Sequence, residues 1–141
     1  MITQGLTTSF KQEILVATHN FTATTGNAFY VALYESSATL NSDTTVYTTS
    51  GEITGTGYTA GGALLTSVTP TTSGSTAMCS FSNVTWSTAT VTVKGALIYN
   101  STQGNKAVAV LSFGGNKTVS GINFVLTFPT MASTTAIIRF P

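Results

Sequence analysis

Charge is what this chain has least of. Of its 141 residues, 6% are Asp, Glu, Lys or Arg, against about 25% in an ordinary globular domain. Five cations and four acids nearly cancel, leaving a formal net charge of +1. Cations so few and so scattered cannot neutralise a row of phosphates, which excludes nucleic-acid binding through a basic patch. Cysteine and histidine are equally scarce, with one of each. A disulfide framework and a Cys/His metal site are excluded by that count, and no cofactor is expected. No apolar run approaches the roughly 18 residues of a membrane span. The opening Met1-Ile2-Thr3-Gln4-Gly5 has neither a cationic nor an apolar signal region, so a soluble protein made in a cytosol is expected.

What is present is apolar and hydroxylic. Hydrophobic residues make up 42% of the chain, which excludes a disordered tail. Thr is about a fifth of the chain, and Thr with Ser about a third. A β-branched residue such as Thr serves the outward face of half-buried strands, and that is its commonest use. A near-neutral hydroxyl surface also suits a protein packed densely against its own copies or a larger body.

One segment reads as helix. Ser9 stands as N-cap with Gln12 three residues on, and Phe10, Ile14 and Ala17 share a face until His19-Asn20 ends it. After Phe21 everything reads as β. Expected strands are Ala28 to Tyr34, Tyr58 to Val68 (kinked at Gly61-Gly62), Thr76 to Trp86, Val91 to Tyr99, Lys106 to Phe113, Ile122 to Phe128 and Thr134 to Phe140. Val91, Val93, Gly95, Leu97 and Tyr99 should share one face. Turns are expected at Pro70 to Ser75, Ser87-Thr88, Asn100 to Asn105 and Gly114 to Lys117, with Gly104 at positive φ. Residues 36–57 read as a long polar loop with one short strand at Val46-Tyr47. Seven or eight antiparallel strands at this spacing predict a single-domain all-β sandwich, jelly-roll-like, with a short helix in an N-terminal segment of residues 1–20.

Chemistry is hard to assemble from these residues. His19, the sole histidine, stands where the helix ends, a place that favours a cation near free carbonyls. Glu13 reads as a helix surface position, and Asp43 and Glu52 as loop acids. Any two acids permit a hydrolase dyad on paper, so the pattern has no specificity. Cys79 has no cationic neighbour in sequence and reads as a small buried hydrophobe. Gly55-Thr56-Gly57 and Gly114-Gly115 open no helix and are not phosphate loops. Strand aromatics are mostly core, but Tyr47 and Tyr58 lie in or beside the long loop and remain contact candidates.

Several blocks carry a resemblance. Ala32 to Leu40, Thr44 to Tyr47, Gly51 to Gly62, Lys94 to Asn100, Lys106 to Gly114, Phe128 to Thr130 and Ala136 to Arg139 resemble, in order and spacing, small Thr/Gly-rich virion proteins of tailed bacteriophages. The resemblance covers nearly the whole chain from Phe10. It implies a non-enzymatic structural component of the particle, assembled in the host bacterial cytoplasm, and carries over no functional residues. The expected role is a homo-oligomeric capsid decoration or cement protein bound to the major capsid protein or other virion proteins. The alternative is a tail component, a fibre, fibre adaptor or attachment module, and only then would a host glycan be a partner. Contacts are expected from Ile2, Leu6 and Phe10 in the N-terminal segment and from Tyr47 and Tyr58 at the loop.

Overall fold

A computed structural model describes residues 1–141. Eight strands and one helix follow the chain: β1 (Gly5–Leu6), α1 (Thr8–Leu15), β2 (Phe29–Tyr34), β3 (Ala63–Leu64), β4 (Ser67–Ser73), β5 (Thr76–Phe81), β6 (Val84–Asn100), β7 (Lys106–Leu126) and β8 (Ile138–Phe140). They form two antiparallel sheets, ordered β1-β7-β6-β2-β3 and β4-β5-β8. The all-β sandwich with a short N-terminal helix is the expected architecture.

The larger sheet is buried on both faces, which explains why β2 reads as an unbroken apolar run instead of an alternating one. Val31 and Leu33 point into a core shared with Cys79, Phe81 and Ile138 of the smaller sheet. Ala32 and Tyr34 point the other way, into a second cluster with Ile2, Leu40, Leu97 and Tyr99. The N-terminal segment and the long loop thus form a lid over the outer face of the sheet. Two close approaches make room for it. A Cβ on Gly95 would run into the Ile2 side chain, and one on Gly62, at φ +81°, would overlap the Val31 carbonyl.

The central hairpin is longer than the sequence suggests. β6 and β7 pair from Val84↔Leu126 to Asn100↔Lys106, so neither Ser87-Thr88 nor Gly114 to Lys117 is a turn. Both are irregularities within continuous strands, with register shifts at Trp86/Ala89 and Val93/Gly95 and positive φ at Thr88 and Gly114. Glycine and polar residues there mark bulges. The Val93/Gly95 shift also changes the strand's phase: Val91 and Val93 face the inner core, whereas Leu97 and Tyr99 face the outer cluster. The expected single face is therefore split in two. The turn between β6 and β7 is as expected, with Gly104 at φ +67° and Asn105 at +60°.

Other boundaries move for similar reasons. The N-cap is Thr7, whose hydroxyl accepts from the Phe10 amide, so the helix starts two residues before the Ser9 reading and ends at Leu15, with Ala17 at φ +59°. Pro70 lies within β4, where the register shifts between Val68 and Thr71, because an edge strand tolerates a missing N–H. Only Ala63–Leu64 of the expected Tyr58 to Val68 strand pairs with β2, and only Ile138–Phe140 of the last strand pairs with β5. Met78 and Ser80 are buried along with Cys79 and Phe81, so β5 does not alternate cleanly.

Candidate functional site

The long loop is organised around one carboxylate. Glu52 Oε2 accepts from the Tyr47 hydroxyl at 2.6 Å, and Oε1 accepts from the Tyr58 hydroxyl at 2.6 Å and the Gly61 amide at 2.7 Å. Charge-assisted bonds of this length are the strong ones. A neighbouring set of hydroxyls locks the loop backbone: Tyr34 donates to the Thr48 carbonyl at 2.5 Å and Tyr99 to the Gly61 carbonyl at 2.7 Å. Tyr99 stacks on Tyr30 and on Tyr47. All five tyrosines of the chain therefore belong to one cluster. Burial, with Glu52 adding to it, holds the Tyr34, Tyr47 and Tyr58 hydroxyls well above the usual tyrosine range, and pushes Tyr99 up to about 12.

This cluster changes the reading of the loop candidates. Tyr58 donates to Glu52, accepts from the Leu33 amide at 3.0 Å and packs its ring near Trp86. Tyr47 is half-buried, with its hydroxyl engaged by Glu52. Both anchor the loop to the sheet through their polar atoms. The exposed parts of this region are Val46 and hydroxyls such as Thr45, Thr54 and Thr56.

The N-terminal candidates are woven inward as well. Ile2 bridges Leu40 in parallel, with Thr3 donating to the Leu40 carbonyl and Leu40 to the Met1 carbonyl. Ile2 and Phe10 are buried in the two core clusters, and Leu6 is half-buried on β1 beside Ala109 of β7. In the folded chain Ile2 and Phe10 hold the segment down and offer no surface outward.

A second polar knot joins the helix to the β6–β7 turn. Glu13 is buried, not a surface acid: its Oε2 lies 2.7 Å from His19 Nε2 and its Oε1 3.1 Å from Lys106 Nζ. Phe10 and Glu13 stand three apart on one helix face, and that spacing is the signal by which burial was readable. The Asn100 oxygen accepts from the Gln103 amide, so its NH2 faces His19 Nδ1 at 3.0 Å and Asn27 Oδ1 at 2.9 Å. The network thereby assigns the His19 hydrogen to Nε2, where it donates to Glu13. No buried side-chain nitrogen or oxygen is left unsatisfied. No group of three His, Cys, Asp or Glu side chains comes together.

The surface clefts are open to solvent. An apolar cleft of about 450 Å³ lies between the helix end and the smaller sheet, lined by Ile14, Phe21, Met78, Cys79, Ile138 and Phe140 among others. Burial raises the Cys79 thiol to about 12. A hydroxyl-lined cleft of about 420 Å³ lies between Glu35, Thr54, Thr90 and Thr118. No helix is long and apolar enough to cross a membrane. No protein-family model, characterised protein or solved structure matches the chain.

Proposed function

We propose that the chain is a non-enzymatic structural protein of a tailed-bacteriophage particle, bound to the outer capsid shell as a decoration protein. The observation that carries this reading is the disposition of the polar groups. Glu13 pairs with Lys106 and accepts from His19, and Glu52 is enclosed by tyrosines, so these groups stabilise the fold. What faces outward is a rigid, nearly uncharged surface of threonine and serine. A surface of that kind suits dense packing, where avidity over many equivalent sites makes modest pairwise contacts sufficient. The sequence blocks that resemble small phage virion proteins point to the same setting.

The test is the copy number per purified particle, by quantitative mass spectrometry against the major capsid protein. A ratio of roughly one-third to one copy per capsid subunit is expected for a symmetric shell decoration. Roughly six to a few dozen copies would move the protein to the tail, where a fibre or attachment role becomes the better reading. Absence from the particle overturns both.

A further inference from the structure

The free edges of the two sheets are treated unequally. β3 is two residues long and follows Gly61-Gly62. β4 carries Pro70 and a register shift. β8 is three residues long, contains Arg139 and runs into Pro141. Shortness, proline, bulges and charge are the devices by which proteins keep sheet edges from pairing with another chain. β7 has few of them. Its outer neighbour β1 covers it only at Ala109 and Val110. From Gly115 to Leu126 its outer edge has no strand beside it, and no backbone–backbone bond outside the named strands involves these residues. That stretch contains no proline and one charge, Lys117. Bulges at residues 113–116 and at Gly121, the latter at φ +66°, interrupt it, leaving regular runs at Lys117 to Ser120 and Ile122 to Leu126.

Beside this edge lies an apolar cleft of about 470 Å³, lined by Phe113, Val119, Phe124, Val125 and Leu126 with Lys117 at its rim. Ile122 and Val125 stand 60% and 51% exposed on the same strand. An unpaired backbone ladder next to an apolar cleft recognises an extended strand: the main chain supplies affinity and the cleft takes alternate side chains. We propose that the occupant is the β7 edge of a second copy, paired antiparallel about a two-fold axis. An antiparallel pair of identical edges is self-complementary, since each residue i that meets j is matched by j meeting i. Each copy supplies both the apolar cleft and the exposed Ile122, on the same face of the strand as Phe124, that covers it. The near absence of charge along the edge removes the repulsion that two identical surfaces would otherwise feel. The inference does not depend on the particle reading.

The test uses the purified full-length chain. Light scattering should give the mass of two chains, against 14.6 kDa for one. Single replacements Asn116→Cys, Thr118→Cys, Ser120→Cys and Asn123→Cys are then oxidised, Cys79 being buried and out of reach. One position, nearest the axis, should cross-link to its own counterpart, with yield falling on either side, and Thr72→Cys on β4 should not cross-link. Ser120→Lys with Ile122→Lys should weaken dimerisation at least tenfold while circular dichroism stays unchanged. A monomer at roughly 100 μM, a dimer that cross-links at Thr72 instead of along β7, or a closed trimer would each overturn the proposal.

Discussion

Tyr58 donates to Glu52 at 2.6 Å while accepting from the Leu33 amide at 3.0 Å, so one hydroxyl joins the long loop to β2 of the larger sheet. Removing it breaks two bonds and strands a buried amide. Tyr58→Phe keeps the ring against Trp86 and should lower stability by about 1–3 kcal/mol. For a domain of this size that is a fall in Tm of about 3 °C per kcal/mol. Tyr47→Phe loses one bond at a more exposed site and should cost less. Thermal unfolding of both variants checks the order, and an unchanged Tm for Tyr58→Phe would remove the loop anchor from the account.

The same cluster fixes the response to alkali. Tyr34, Tyr47, Tyr58 and Tyr99 all have hydroxyls raised above the ordinary value of 10 by burial first, with Glu52 contributing. The unfolded chain releases these protons near pH 10 and the folded chain holds them to about 12 or beyond. The stability they contribute is therefore complete below pH 10 and declines as pH rises above it. Titration followed by tyrosinate absorbance and circular dichroism together should show these four ionising only as the fold opens. Ionisation of all the tyrosines near pH 10 with the circular dichroism intact would contradict the cluster.

How much of this was readable beforehand depends on whether the signal was local. The β-rich pattern, the Asn100 to Asn105 turn and the existence of a helix near the start are local features and were legible, although the helix takes Thr7 as its cap and stops at Leu15. The length of the β6–β7 hairpin was not readable, because Ser87-Thr88 and Gly114-Gly115 carry the chemistry of turns and only long-range pairing shows them to be bulges. The split face of β6 follows from the same bulge. Among the site residues, the burial of Glu13 was implied by its spacing from Phe10, whereas the meeting of His19 with Asn100, 81 residues away, was implied by nothing local. The tyrosines pointed to the loop, but that they converge on Glu52 depends on how the loop folds back over the sheet.

Asn100 is the least replaceable member of that second knot. It is fully buried and its side chain serves His19, Asn27 and the Gln103 amide at once. Asn100→Ala leaves the Gln103 amide and His19 Nδ1 without their partner and opens a small void, and should cost about 2–4 kcal/mol. Lys106→Met, by contrast, removes a half-exposed ion pair whose contribution is about 1 kcal/mol or less. Denaturant unfolding of the two variants measures the difference. Equal losses would mean that the knot is held by charge and not by the amide.

Cys79 reports on the opening of the smaller sheet. Its thiol lines the apolar cleft beside Met78 and Phe140, and burial alone raises it to about 12. The thiolate is the reactive form, so at pH 8 the reactive fraction is on the order of one in ten thousand, about a thousandfold below that of a free cysteine. A bulky aromatic disulfide reagent should leave the folded protein unmodified over minutes and react with one equivalent after denaturation. Where reaction in native buffer does occur, its rate should rise with low denaturant, since access then requires β5 and β8 to part. Rapid reaction in native buffer, indifferent to denaturant, would place the thiol at the surface and the cleft wall somewhere else.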